Sequence, residues 1–357
     1  MRRLFIALLA ALMGLAFGLP QAETYRVDGL INTFAQDRIN ADIAEATSDA
    51  QLYALFGVQP GQADVSFRPT TLHVDGAERV LSLEVTVQTP RKAERFGLMY
   101  DLLTGERLTA ERFWSSGAQQ VLDAAVEKLL SGGGYTMLDA EALRPVPLEG
   151  AYLTETGLYL PYPASRFALY SGAAGGFAFY FAEIRGALQL DALSLLSQLD
   201  EVKAGLGEGG LARVSERLAR GEWPGLAPVI GQPIDSVLGL FGEWTDPELF
   251  LGRDRYVPAD PHLRDITLVV GETDDLVQGL HFRRFGLLGL VMGESGRADV
   301  IKALGEPESE LPFDSAAAQA YAMEAGSALS FRFGSWQLLV NLDTDGLLRA
   351  AYYSQAL

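Results

Sequence analysis

The sequence predicts an α+β protein of two domains, in which antiparallel sheets carry packed helices. Short runs of alternating apolar residues are separated by hairpin turns, and amphipathic helical segments stand before and between these runs. A weak internal repeat near the C-terminus further predicts that the second domain contains two helix-plus-sheet units.

The chain begins with a segment typical of a secretory signal peptide. Arg2 and Arg3 precede an apolar run that reaches Gly18, and this run is short for a membrane span, which needs about 20 residues. We predict a signal peptide over 1–22 and a secreted, periplasmic or cell-envelope protein with no membrane span after signal cleavage. A retained N-terminal anchor is the alternative. The chain has no cysteine, so its stability must come from core packing rather than disulfides.

The first domain is predicted over 23–188. Residues 30–57 have helical periodicity, with an apolar stripe formed by Leu30, Ile31, Phe34, Ile39, Ile43 and Ala44. Residues 64–74 and 78–88 flank Asp75-Gly76, a strong hairpin signal. A third strand over 95–105 and a helical segment over 109–134 follow.

Residues 162–184 of the first domain are rich in aromatic side chains. Phe177, Phe179 and Phe181 alternate with Ala178, Tyr180 and Ala182, which predicts a core strand with one aromatic face. The preceding residues, 162–176, contain small residues and glycines typical of a turn or bulge.

A helical connector is predicted over 189–226. It contains the pattern Gly205-x-Gly207-x-x-Gly210. A dinucleotide-binding turn requires a strand before these glycines, and a helical pattern precedes them here. We therefore interpret the pattern as a break between helices.

The tandem-repeat domain is predicted over 227–357. Residues 230–244 match residues 292–308 with one insertion, so that Gly231 pairs with Gly293 and Val237 with Val300. In each copy a short helix precedes strands, and two such units can join their sheets side by side.

The sequence reveals no catalytic residue set, metal site or cofactor motif. His73, His262 and His281 have no second ligand at metal spacing. Asn341-x-Asp343-x-Asp345 copies the opening of a calcium loop, but Tyr352 occupies the position where that loop needs glutamate. We expect a hairpin turn there, with a weak surface cation site as the alternative. The protein is therefore expected not to be an enzyme.

Charge limits the choice of partners. The chain has 46 acidic and 28 basic residues and a formal net charge of −18. Such a protein repels nucleic acid and anionic lipid and attracts basic proteins.

Two stretches resemble known families. Residues 167–184, together with similar phrases upstream, resemble the extracellular domain of lysozyme-sensing anti-sigma factors, which also occurs beside peptidoglycan deacetylases. This resemblance covers about residues 25–188; Ala168, Tyr170, Phe177 and Glu183 fall on matching positions, whereas Leu169, Ala173 and Tyr180 depart from the pattern. The repeated half weakly resembles an exported bacterial family with the tandem fold of beta-lactamase inhibitory protein. Both resemblances imply folds that bind proteins.

These observations lead to an expected function and a competing one. We expect a non-catalytic cell-envelope protein that binds a protein ligand, such as a basic lysozyme-like enzyme, through Tyr162, Arg166 and Tyr170. The alternative is a hydrolase that acts on cell-wall glycan with carboxylates in an interdomain cleft. A purely structural envelope protein is a third hypothesis.

Overall fold

The computed structural model describes residues 25–131, 141, 143–163, 175–226, 229–238, 247–250, 253–257, 265–271 and 274–356. The predicted signal peptide lies outside these ranges. Helices and antiparallel sheets together build the described chain, which confirms the α+β class. Within the described ranges, no helix combines the length and apolar character needed to cross a membrane.

The first sheet consists of three long antiparallel strands. They are β1 (Asp64–Val74), β2 (Ala77–Gln88) and β3 (Ala93–Asp101). Asp75 and Gly76 form the turn between β1 and β2 with φ of 49° and 78°, as the hairpin signal predicts. The alternating apolar residues of β2 face a buried core, to which the strand contributes Leu81, Leu83, Val85 and Val87.

Two helices cover this core, α1 (Thr33–Ala46) and α2 (Asp49–Phe56). The sequence pattern predicted one helical region here, and the structure divides it at Ser48. The hydroxyl of Ser48 accepts a hydrogen bond from the backbone N–H of Gln51, and so caps the start of α2.

The buried side of α1 differs from the predicted stripe. Its buried residues are Ala35, Ile39, Ile43 and Ala46. The prediction is therefore right for Ile39 and Ile43 and wrong for Ile31, Phe34 and Ala44, which are exposed. The small alanines turn toward the sheet, where Gly105 of the β3 turn lies against the backbone of Ala35.

The middle sheet consists of β4 (Tyr152–Leu153), β5 (Gly157–Tyr162) and β6 (Gly175–Tyr180). Phe177, Phe179 and Phe181 are all buried, so the predicted core strand is confirmed. Helix α3 (Ala118–Ser131) packs into the same core.

The connector contains α4 (Leu195–Gln198), α5 (Asp200–Gly205) and α6 (Leu211–Ala219). Since a helix precedes the glycine pattern, the prediction of an interhelical break is confirmed. Helices α4 and α5 pack into the core of the middle sheet, whereas α6 packs against the C-terminal sheet. The domain boundaries stay a prediction.

The C-terminal sheet has eight described antiparallel strands. In chain order they are β7 (Glu248–Phe250), β8 (Arg253–Tyr256), β9 (Ile266–Val270), β10 (Val277–Phe282), β11 (Ser309–Phe313), β12 (Gly326–Phe333), β13 (Trp336–Asp343) and β14 (Leu348–Gln355). Their spatial order is β11-β12-β13-β14-β10-β9-β8-β7. Helix α7 (Ile234–Leu238) precedes the first four strands and α8 (Arg297–Leu304) the last four, while α9 (Ser315–Ala320) lies between β11 and β12.

Equivalent hydrogen bonds in the two halves of this sheet confirm the internal repeat. The N–H of Gly231 donates to the carbonyl of Val277 at 2.8 Å, and the N–H of Gly293 donates to that of Leu348 at 2.7 Å. Both glycines have positive φ, and both acceptors begin the last strand of their unit. The two units join where β10 pairs with β14. Strands β7, β8 and β11 were not predicted.

Arg284 joins the middle sheet to the C-terminal sheet. Its guanidinium donates to both oxygens of Glu183 at 2.7 and 2.6 Å, to the carbonyl of Ala178 at 2.7 Å and to Asp265 at 3.2 Å. Burial alone would lower the pKa of Arg284, but the two carboxylates outweigh it and raise the pKa. The side chain therefore stays charged and holds the sheets together.

Candidate functional site

An open cleft lies between the middle sheet, the connector helices and the chain that follows β10. Its volume is about 500 Å³, including the space open to solvent. Leu287 and Leu288, both buried, contribute to an apolar floor. The charged groups that line it are Glu155, Asp200, Glu201 and Arg217.

Two of these carboxylates hold the β1–β2 hairpin against α5. Asp200 accepts hydrogen bonds from the backbone N–H groups of Asp75 at 3.3 Å and Gly76 at 2.8 Å. Glu201 accepts one from the backbone N–H of His73 at 2.9 Å and lies 2.8 Å from Nδ1 of the same residue. Both side chains are largely buried, so their charges are used to fasten neighbouring elements.

The other wall of the cleft contains an ion-pair network. Arg217 on α6 pairs with Glu155 in the β4–β5 turn and lies 3.8 Å from Glu222. Glu155 also accepts a hydrogen bond from the backbone N–H of Gly225 at 3.2 Å. A hydrogen bond from Arg220 lowers the pKa of Glu222. These contacts connect the middle sheet to the connector and to the chain that follows it.

A glycoside-hydrolase site provides a chemical comparison for these carboxylates. Such a site needs one protonated carboxylic acid and one carboxylate free to act as nucleophile or base. Here the oxygens of Asp200, Glu201 and Glu155 accept hydrogen bonds or pair with cations of the protein itself. These contacts fix the packing of the β1–β2 hairpin, the β4–β5 turn and the connector helices.

Of the three residues predicted to contact a partner, the structure describes Tyr162. Tyr162 is only 1% exposed. Its ring packs edge-on against Phe177 at 5.3 Å, and its hydroxyl donates to the carbonyl of Leu143. The side chain of Tyr162 thus belongs to the core rather than to a surface. Arg166 and Tyr170 lie outside the described residues, and their role as contacts stays a prediction.

The described histidines occupy structural positions. His73 is tied to Glu201, as given above. His281 is completely buried on β10 between β9 and β14. Burial and the nearby charges of Arg255 and Arg283 lower its pKa to about 3, although hydrogen bonds to the backbone of Ala322 and Tyr321 act in the opposite direction. His262 lies outside the described residues, and the described part of the chain holds no cluster of metal-ligating residues.

The calcium-like stretch is a hairpin turn, as expected. It joins β13 to β14, and the carboxylate of Asp343 accepts hydrogen bonds from the N–H groups of Asp345 at 2.9 Å and Leu347 at 2.8 Å, and from Arg349. Burial alone would raise the pKa of Asp343, but these bonds lower it. Its carboxylate is therefore committed to the turn.

An exposed apolar surface at the start of α1 was not predicted from the sequence. We call it the apolar tip: Ile31 is fully exposed, Phe34 is 72% exposed and Leu103 is 57% exposed. The side-chain amide of Asn32 donates to the carbonyl of Leu103 at 2.8 Å, so the two segments lie together. The sequence signal for this surface is Ala35. Because Ala35 and Ile39 share the buried face of α1, Phe34 must lie on its exposed face.

Together, fold and cleft define an α+β protein whose described sheets are fastened to one another by charged side chains. No family model matches the chain, and a search of curated proteins gives no match. Among solved structures, the chain is similar to a DUF4309 family protein from Bacillus subtilis, with 13% identity and a TM-score of 0.28 over 41% of this chain and 95% of that one.

Two further similar structures belong to the DUF3298 family. One, from Pseudomonas aeruginosa, has 14% identity and a TM-score of 0.28 over 44% of this chain and 80% of that one. The other, from Bacteroides fragilis, has 14% identity and a TM-score of 0.22 over 44% of this chain and 64% of that one. All three are domains of unknown function, and at these TM-scores the similarity carries no argument about function.

Proposed function

We propose that the protein is a non-catalytic binding module of the cell envelope, and that its ligand is a protein of positive charge. The observation that supports this proposal is the formal net charge of −18, combined with a cleft whose carboxylates are bound to the protein itself. A strongly acidic surface accelerates encounter with a cationic partner and disfavours acidic ones. A lysozyme-like enzyme is the partner that the sequence resemblance suggests.

Calorimetric titration with a C-type lysozyme tests the proposal. We expect binding that weakens from low to physiological ionic strength, because salt screens exposed charges beyond about 8 Å. Binding that is absent at both salt concentrations would exclude lysozyme as ligand, and a second titration with a basic protein of unrelated fold would then show whether charge alone suffices.

The contact residues need a matched comparison. Tyr170→Ala tests the predicted contact, and Tyr53→Ala is the control, since Tyr53 is a tyrosine 54% exposed on α2. We expect the first variant to lower the affinity by about tenfold and the second to leave it unchanged. Equal affinities for both variants would remove Tyr170 from the contact surface.

The glycan-hydrolase alternative rests on the cleft and has its own test. Purified cell wall is incubated with the protein, and new reducing ends or released acetate are measured. Under the binding proposal neither is produced. Release that is abolished by Glu201→Gln, with the fold retained in circular dichroism, would establish the hydrolase instead.

A further inference from the structure

The outer face of α1 has a pattern of size and charge that is complementary to itself. Phe34, Arg38, Ala41 and Glu45 follow one another at spacings of four, three and four residues, and all are exposed. These spacings place them in one line along the helix. Within the described ranges, neither Arg38 nor Glu45 has an ion-pair partner.

We infer that this face forms a homodimer in which two copies of α1 cross antiparallel near Ala41. Arg38 and Glu45 lie three and four residues from Ala41, which is about 5 Å along the axis in each direction. An antiparallel crossing therefore brings Arg38 of each copy opposite Glu45 of the other, and a twofold axis forms this pair twice. A parallel crossing would place the two Arg38 side chains together.

Ala41 and Phe34 supply the contact itself. An alanine at the crossing point lets the two helix backbones approach closely, toward the short end of the usual interaxial distances of about 8–10 Å. Phe34 extends the same line and lies about 10 Å from the crossing point, where the antiparallel arrangement brings it to the end of α1 in the other copy, near Ser48. Arg68 lies on another face and offers a control position. It stands on β1 and faces the side of the first sheet opposite to Phe67, which packs on the helix side.

The dimer is expected to be weak. Helix α1 has 14 residues, fewer than the roughly 20–30 residues that each partner contributes to a standard interface. The formal charge of −18 on each chain also opposes association. Both terms predict that the dimer forms only at high protein concentration.

Sedimentation velocity over concentrations from about 2 to about 200 μM tests the inference without any ligand, so it does not depend on the proposed function. We expect the mean mass to rise toward twice that of the single chain. Arg38→Glu should weaken association by about tenfold or more, because it places like charges opposite each other. The double variant Arg38→Glu/Glu45→Arg should restore it, since the pair is re-formed with its charges exchanged.

Arg68→Glu is the control, because it makes the same change of charge on another face. The inference is overturned by a mass that stays that of one chain at the highest concentration. It is equally overturned if Arg38→Glu and Arg68→Glu weaken association alike, or if the double variant fails to recover it. Circular dichroism of each variant shows that the fold is retained.

Discussion

His281 should make the protein sensitive to mild acid. The folded state keeps this buried imidazole neutral down to about pH 3, because its pKa is lowered from 6.5 to about 3. In the unfolded chain the same group takes up a proton near pH 6.5. Between these values the unfolded state binds more protons, so the stability contribution is fully present above pH 6.5 and is lost as the pH falls.

The size of the effect follows from the two pKa values. Each pH unit below 6.5 costs about 1.4 kcal/mol of unfolding free energy, until the folded-state pKa is reached. At about pH 4.5 the loss from His281 alone is therefore about 3 kcal/mol. His281→Gln removes the titration, while the loss of packing and hydrogen bonds costs about 1–3 kcal/mol at every pH.

Urea unfolding of the wild type and of His281→Gln, each at neutral pH and at about pH 4.5, measures this difference. We expect the variant to be less stable at neutral pH and to lose about 3 kcal/mol less than the wild type on acidification. Thr267→Val is the control, because Thr267 is the buried neighbour of His281 on β9 and does not titrate. If His281→Gln is less stable than the wild type by the same amount at both pH values, as expected for the control, His281 does not cause the acid sensitivity. The same conclusion follows if NMR shows that the imidazole of the folded protein titrates near pH 6.5.

Two further changes test the packing between sheets. Arg284→Met should destabilise the protein by about 3–5 kcal/mol in urea unfolding, because it leaves two largely buried carboxylates without their cation. Arg284→Met/Glu183→Gln should recover part of that loss, and no recovery would show that the carboxylates are not the cause. Gly157→Ala should cost several kcal/mol, on the order of other overpacked core substitutions, since its Cβ would lie 1.9 Å from the carbonyl oxygen of Phe179. Gly117→Ala meets no atom within 4 Å and should stay close to wild-type stability in the same assay.

The sequence predicted those parts of the fold in which local pattern and burial agree. The alternation in β2, the Asp75-Gly76 turn and the aromatic strand β6, which ends at Tyr180, follow directly from period and turn chemistry. The repeat could be found in the sequence because both units keep a glycine at the same position. In the structure Gly231 and Gly293 make equivalent hydrogen bonds.

Other features depend on contacts that no local pattern records. The exposure of Phe34 depends on which side of α1 meets the sheet. That side contains small alanines, and the larger Phe34 lies on the opposite side. Tyr162 was predicted as a contact residue. The structure buries it, because it continues the inward alternation of Leu158 and Leu160 on β5, a signal that was present in the sequence. The fastening of Asp200 to the β1–β2 hairpin joins residues more than a hundred positions apart, and charge pairs at such separation leave no spacing to detect.

The pairing of β10 with β14 also determines how the C-terminal half can be divided. Each unit places its last strand at the centre of the joint sheet, so either unit alone would present that strand as an open edge. Such an edge offers unpaired N–H and C=O groups to other chains and favours aggregation. A chain cut between the two units, after Met292, would carry β10 in this state. We expect the fragment to be recovered as aggregate, and co-expression with the missing unit to return it to solution by closing the sheet.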